Sequence, residues 1–345
     1  MSTNNQQTVA PQPPPEGVVL QIALSALMSQ ALYVAAKLGI ADLLAAGPRP
    51  VTELAAETNT HERALYRVLR SLASVGVFTE TDPQVFALTP TAQVLRTDVP
   101  NSMRGAVIFM GEEWHWRVFA DMLYSVETGR PAWGHIHGVE VFEYFGAHRP
   151  AAEIFNRAMT DLSASVAQPI VAGYDFAAVG TLADIAGGHG YLLAQVLKAH
   201  PEMRGVLFDV PPVIKGAADL LAREGVAARV ELVTGDFFAA IPAGADAYMM
   251  KHIIHDWDDE RAVQILSNIR AAMPDAGKVL IVEQVIPAGD EPHPGKLLDL
   301  EMLVAPGGIE RTAEEYRALL AAAGLELTRI VPTASPFSVV EAVKG

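Results

Sequence analysis

The chain has 345 residues, half of them hydrophobic and 19% charged, enough for a sizeable core spread over two or three domains. Forty acidic side chains against 25 basic ones leave a net charge of −15, the reverse of the basic footprint that nucleic-acid binding needs. With no cysteine in the chain, disulfides, thiolate metal sites and cysteine nucleophiles are excluded.

Residues 1–17 are polar and Pro-rich and read as a disordered tail, without the basic and apolar regions of a secretory signal. Val18 to Leu44 is apolar but interrupted by Gln21, Gln30, Lys37 and Asp42, which argues against a membrane span and for a soluble, cytoplasmic protein. Leu20, Leu24, Leu27, Met28, Ala31 and Leu32 recur at helical spacing, so the segment is a helix with an apolar stripe. A short helix opens at Thr52, and Thr60 is placed to cap the next, which carries Leu65, Val68, Leu69 and Leu72. Two short strands follow, around Phe78 and over Val85–Leu88, joined at Asp82-Pro83. Helices followed by a hairpin make a winged-helix layout for residues 18–100. At this net charge the layout reads as a dimerisation module rather than a DNA reader, and the stripe of Leu20 to Leu32 offers the surface to pair two subunits.

Residues 101–174 are helical and rich in aromatics, among them Phe109, Trp114, Trp133, Phe145 and Phe155, and read as linking helices that help form a pocket for a planar ligand. His135 and His137 in this stretch are weighed as metal ligands and set aside.

From 175 to the end, short apolar runs alternate with helices. Strands are expected over Thr181–Ala186, Val206–Val210, Val230–Thr234, Ala245–Met250 and Lys278–Gln284, with Leu325–Val331 and Phe337–Val343 closing. Helices are expected over Tyr191–Ala199, up to Glu224, and over Asp259–Met273 and Thr312–Ala323. This alternation predicts an α/β fold, a doubly wound, Rossmann-like sheet covered on both faces.

In such a sheet the ligand lies at the carboxyl ends of the strands. The first strand runs into Ala186-Gly187-Gly188-His189-Gly190. This is neither a P-loop nor a good dinucleotide fingerprint, because the G-x-G-x-x-G spacing is absent. Asp209 ends the second strand, where a carboxylate holds a ribose, unless it only caps the helix entered through Pro211-Pro212. Gly235-Asp236-Phe237 ends the third strand, a carboxylate and a ring suited to adenine. Asp184, Asp209 and Asp236 thus stand at three successive strand ends.

These strand-end residues resemble the S-adenosylmethionine-dependent methyltransferase fold. His255-Asp256-Trp257, Asn156-Arg157-Ala158-Met159, Phe208-Asp209-Val210-Pro211 and Gly307-Gly308-Ile309-Glu310-Arg311-Thr312 narrow the resemblance to the plant-type small-molecule O-methyltransferases and their bacterial natural-product relatives, over nearly the whole chain. The resemblance implies that Ala186 and Gly187 contact the amino-acid part of S-adenosylmethionine, and that Asp209 holds the ribose. It puts Gly235, Asp236, Phe237 and Trp257 at the adenine end, Ser163 and Lys251 around the methionine and adenosine, and Arg157 on the methionine carboxylate. His255 is implied as catalytic base, flanked by Glu283 and Glu310, with Met159, Asp256, Asp299 and Met302 facing the substrate. It also implies a homodimer, a small aromatic acceptor and no metal, nucleic acid or membrane partner.

Ala186 departs from the family's three glycines, and its methyl group fits if the backbone there is ordinary. His189 stands where a small or hydroxylated residue is usual.

A phenol, with a pKa near 10, needs its proton removed, and a histidine near 6.5 is neutral enough to take it. A carboxylate on the other ring nitrogen would orient it, and either Glu283 or Glu310 could serve. A metal at His252 and His255 is disfavoured, because three-residue spacing needs a helix and His252 follows a strand. A decarboxylase or hydroxylase on the same cofactor, or an NAD-dependent dehydrogenase, are the competing enzymes.

Overall fold

The computed structural model describes residues 14–345, so most of the expected tail, residues 1–13, lies outside it. The chain forms two compact units, divided between Thr97 and Asp98.

In the first unit, α1 (Pro15–Lys37) begins inside the stretch expected to be tail. Pro15 sits at the first helical position, where its missing N–H costs nothing. By length and composition alone α1 is long and apolar enough to cross a membrane, a test that core helices of soluble proteins also pass. Val19, Leu20, Ile22 and Leu27 are exposed along it, an apolar face left open among the described residues.

Next come α2 (Ile40–Leu43), β1 (Arg49–Pro50), α3 (Val51–Glu57), α4 (Glu62–Ala73), β2 (Phe78–Asp82), β3 (Val85–Leu88) and α5 (Pro90–Gln93). The strands pair antiparallel in the order β1-β3-β2. The residue before α4 is His61, with no side-chain cap. Thr60, expected to cap it, spends its hydroxyl on Thr58.

The second unit opens with six helices: α6 (Arg104–Gly111), α7 (Glu113–Ala120), α8 (Met122–Thr128), α9 (Ala132–His137), α10 (Val141–Ala147) and α11 (Arg149–Gly173). The sheet follows, with β4 (Thr181–Ile185), α12 (Tyr191–Ala199), β5 (Arg204–Asp209), α13 (Pro211–Arg223), β6 (Val230–Thr234) and β7 (Ala247–Lys251). It ends with α14 (Asp259–Ala272), β8 (Lys278–Glu283), α15 (Gly295–Val304), α16 (Ala313–Ala322), β9 (Leu325–Pro332) and β10 (Ser338–Lys344). The seven strands run β6-β5-β4-β7-β8-β10-β9. β4 to β8 are parallel, and β10 is antiparallel to both neighbours.

Leu182, Ala183 and Ile185 of β4 are fully buried, as a central strand covered on both faces requires. One face packs on α11, α12 and α13, the other on α14 and α16. The strand order reverses between β4 and β7, and a ligand crevice opens at the carboxyl ends there. No helix is expected between Gln284 and Thr312, yet α15 lies there. Its near-continuous run of Leu297, Leu298, Leu300, Met302 and Leu303 hides the helical period.

On β10, next to the edge strand β9, Glu341 is 5% exposed. It accepts hydrogen bonds from Tyr174 Oη (2.5 Å), Thr328 Oγ1 (2.8 Å), Arg329 Nη2 (2.9 Å) and Lys278 Nζ (3.2 Å). Burial works against its ionisation, but the donors from Arg329, Tyr174, Thr328 and Lys278 win and hold the carboxyl down at about 2, against an ordinary 4.5. Its stabilisation is therefore complete above pH 4.5 and lost as the pH falls towards 2. Glu341→Ala is expected to cost about 3 kcal/mol at pH 7, with its four donors left unpaired, and less at pH 3. Urea unfolding at both pH values checks this, and an equal loss at both would contradict it.

Candidate active site

Between β4 and α12 the chain turns through three left-handed residues, Ala186 (φ +55°), Gly188 (+62°) and Gly190 (+78°). The ordinary backbone expected at Ala186 is not found. An L-residue there is strained by about 1–2 kcal/mol, and the Ala186 N–H is tied to the Phe208 carbonyl at 2.7 Å. At Gly187 a Cβ would lie 2.5 Å from the Asp184 carboxyl, so that position admits only glycine. Asp184, near the end of β4 as the strand-end reading has it, is correspondingly buried beneath the turn. Burial raises its carboxyl to about 7, against the pull of the Lys251 ammonium.

Asp209, half-buried at the end of β5, accepts the Gly188 N–H at 2.9 Å through Oδ2 and the Val210 N–H at 2.7 Å through Oδ1. Each oxygen keeps a second lone pair for a ligand hydroxyl. After β6, Gly235 lies against the Phe208 ring, where a Cβ would meet Cε2 at 2.6 Å. Asp236 is exposed and accepts the Phe238 N–H at 2.8 Å. Phe237 and Phe238 meet Trp257 edge-on at 6.0 and 4.8 Å between ring centres, and Phe142 closes the group at 5.5 Å.

On α11, Arg157 pairs with Asp161 at 2.8 Å while its side chain stays 55% exposed. Ser163 donates to the Met159 carbonyl at 2.7 Å. His189 fills the space left by Gly216, where a Cβ would come within 2.8 Å of its Nε2. It lies 3.4 Å from Thr160 Oγ1, and burial holds it below the usual histidine range.

After β7 the chain makes a tight 3₁₀ turn, Ile254–Asp256. His255 is 3% exposed in it. Its Nδ1 is hydrogen-bonded to Glu310 Oε1, and its Nε2 lies 3.4 Å from Asp256 Oδ1. Glu283 does not touch the ring. Its Oε1 accepts the backbone N–H groups of Ile253 (3.1 Å), Ile254 (2.7 Å) and His255 (3.2 Å), and its Oε2 accepts the Tyr316 hydroxyl. The two acidic neighbours thus divide the work, Glu310 on the imidazole and Glu283 on the turn. Burial works against a charged His255, but Asp256, Glu310 and Glu283 outweigh it and raise the imidazole to about 9. This replaces the value near 6.5 assumed from the sequence. Burial raises Asp256 to about 7 and lowers Lys251, at the end of β7, to about 8. The rings of His252 and His255 stack 4.5 Å apart rather than converge on one point. Asp299 stands behind Glu310, accepting its backbone N–H at 2.9 Å, and Met302 is buried on the same helix.

Three supporting residues escaped sequence reasoning. Arg311 is 1% exposed and donates to the carbonyls of Ile254 (3.1 Å), Ile309 (3.2 Å) and Trp257 (2.9 Å). Gly308 packs so closely on the turn that a Cβ would lie 1.8 Å from the His255 carbonyl oxygen. Tyr316 anchors Glu283. Gly308 and Arg311 stand in the motif quoted above around Glu310, but their packing on the His255 turn was not readable there, since those partners lie over 50 residues away.

A family model described as an O-methyltransferase domain matches residues 116–326, and one for an O-methyltransferase dimerisation domain matches residues 20–98. The chain is 47% identical over 342 residues, 99% of each chain, to the phenazine O-methyltransferase PhzM of Lysobacter antibioticus. A solved structure of LaPhzM superposes with a TM-score of 0.93 at 47% identity, covering 96% of this chain and all of that one. NcsB1, an O-methyltransferase from neocarzinostatin biosynthesis solved with S-adenosylmethionine and 2-hydroxy-5-methyl naphthoic acid, superposes at 0.78 with 34% identity, covering 92% of this chain and 96% of that one.

Proposed function

The chain belongs to the S-adenosylmethionine-dependent O-methyltransferase family, and on that premise we propose that it methylates a hydroxyl of a planar aromatic natural product, with His255 taking the hydroxyl proton. The observation that carries this reading is the buried His255, whose Nδ1 is committed to Glu310 and whose Nε2 has only Asp256 Oδ1 near it, at 3.4 Å.

The residues present suit the cofactor. Asp209 has free lone pairs beside the left-handed glycine turn, and Asp236 and Phe237 pair an exposed carboxylate with a half-buried ring. These would hold the ribose and the adenine. Arg157, Ser163 and the Ala186-Gly187 backbone would receive the amino-acid end, Lys251 would sit by the adenosine, and Gly235 and Trp257 would frame the adenine pocket. Met159, Asp256, Asp299 and Met302 would surround the acceptor.

When bound, S-adenosylmethionine supplies a methyl carbon that bonds to the acceptor oxygen as its bond to sulfur breaks and the sulfur keeps the electron pair. His255 Nε2 takes the hydroxyl proton, and Glu310 stabilises the imidazolium that forms. Raised to about 9, His255 nearly matches a phenol near 10. The transfer is then uphill by about 1.4 kcal/mol, against about 5 kcal/mol for an ordinary histidine. The gain in base strength has a cost, because at pH 7 only about one His255 in a hundred is unprotonated.

The dimerisation-domain match and the exposed face of α1 support a homodimer in which a second α1 covers that face.

The test is calorimetric titration with S-adenosylmethionine and, separately, NAD, followed by mass spectrometry of planar phenols incubated with enzyme and cofactor. Micromolar binding of the first alone and a 14-dalton gain on a phenol are expected. Asp209→Asn should weaken cofactor binding by about tenfold or more, since a neutral amide accepts weaker hydrogen bonds than a carboxylate. NAD binding, or no methylated product from any phenol, would overturn the reading.

A further inference from the structure

Two histidine–glutamate pairs are tied to one turn of α15, and the proposed reaction uses only one of them. Asp299 on α15 supports Glu310, the partner of His255. Two residues on, Glu301 Oε1 is 2.7 Å from Nε2 of His115. His115, on α7, is fully buried. Its ring stacks on Phe109 at 4.3 Å and lies 4.8 Å from Phe119.

The protonation pattern of this second pair follows from valence. His115 Nδ1 lies 3.1 Å from the Phe109 carbonyl oxygen. A carbonyl only accepts, so Nδ1 carries a proton, and a single further proton lies between Nε2 and Glu301 Oε1. Both ring nitrogens and one carboxylate oxygen are then satisfied. Glu301 Oε2 is buried with no hydrogen-bond partner among the described residues. A buried acceptor left unmade is costly and calls for a partner.

The surroundings indicate what kind of partner. α15 packs on α7, α8 and α9, which carry His115, Ser125 and Trp133, and Ser125 Oγ and Trp133 Nε1 are also buried without partners. Phe109 and Trp133 belong to a buried cluster against which Phe119 and Met159 pack, Met159 being assigned above to the acceptor site. Of the unmet polar atoms, Trp133 Nε1 thus belongs to the cluster on which Met159 packs, and Glu301 adjoins Met302 on α15, the other methionine assigned to the acceptor site.

Resting on the reading above, we propose that Glu301, held by His115, is a second recognition point for the acceptor. Its Oε2 accepts a hydrogen bond from a hydroxyl or amino group on an edge of the ring system away from the hydroxyl that faces His255. The preferred acceptor is then a planar aromatic with two hydrogen-bond donors. His115 is a positioning residue, fixing the carboxylate by holding its other oxygen.

The test compares binding of two probes, a phenazine with one hydroxyl and a phenazine with a hydroxyl on each outer ring, to the enzyme loaded with S-adenosylhomocysteine. No methyl can transfer, so calorimetry reads recognition alone. The wild type is expected to bind the dihydroxy probe about tenfold or more tighter. Glu301→Gln should keep this preference, because its amide N–H can serve His115 Nε2 while its carbonyl faces the ligand. Glu301→Leu should bind both probes about equally. A ratio near one in the wild type, failure to bind either probe, or an unchanged ratio in Glu301→Leu beside a lowered melting temperature would overturn the proposal and leave the pair purely structural. The wild-type ratio decides against it even where Glu301→Leu does not fold. A wild type that discriminates between the probes yet methylates neither would sink the proposed activity and leave this recognition point standing.

Discussion

Replacing His255 with Ala is expected to lower methyl transfer by about 10²–10⁴-fold, the usual worth of a positioned base, while S-adenosylmethionine affinity is unchanged. The pH dependence is the sharper readout. The active form of His255 is the free base, and Asp256, Glu310 and Glu283 raise its pKa to about 9. In the wild type kcat/KM should therefore rise about tenfold per pH unit from 6 to 8 and bend near 9. Glu310→Gln removes the charge on Nδ1 and should move the bend towards neutral pH while lowering the plateau, since a weaker base meets the same phenol. Rates measured from pH 6 to 10 on the wild type, Glu310→Gln and His255→Ala decide the matter. If His255→Ala kept the full rate at neutral pH, alignment of acceptor and methyl alone would have to account for catalysis.

The largest expected effect on folding comes from Arg311, a residue with no proposed chemistry. Its ion pair with Asp259 contributes little, because Asp259 is 73% exposed. What matters is that its guanidinium serves the buried carbonyls of Ile254 and Trp257 and the part-buried one of Ile309; water does not replace it at the first two once the loop has docked. Arg311→Met should cost about 2–6 kcal/mol, counting about 1–3 for each of the two buried carbonyls left bare. Arg311→Lys should recover only part of this, since an ammonium cannot reproduce the planar fork. Urea titration of the three proteins checks the order, and a loss under about 1 kcal/mol in Arg311→Met would show that the loop docks through Gly308 and the Glu310 pair alone.

The parts of this protein legible from sequence are those where local chemistry repeats along the chain. Apolar runs alternating with helical periods predicted the sheet, and Tyr191–Ala199 and Val230–Thr234 fall where the structure has them. Glycine at 187 and carboxylates after successive strands pointed to the crevice, because such sheets bind ligands only there. α15 was missed because a helix apolar nearly all round has no period to read.

Sequence by itself determined the fold class, which rests on residue type and spacing along strands and helices, and its motifs carried the resemblance that implied the family and the residues to watch. Only tertiary structure decided that Glu310 meets the imidazole of His255 and Glu283 its backbone, that acidic neighbours crowd that ring, that Ala186 is strained, and that His115 and Glu301 meet across 186 residues. These depend on burial and on distances between atoms far apart in the chain. Desolvation and hydrogen-bond valence act through space, and no local pattern records them.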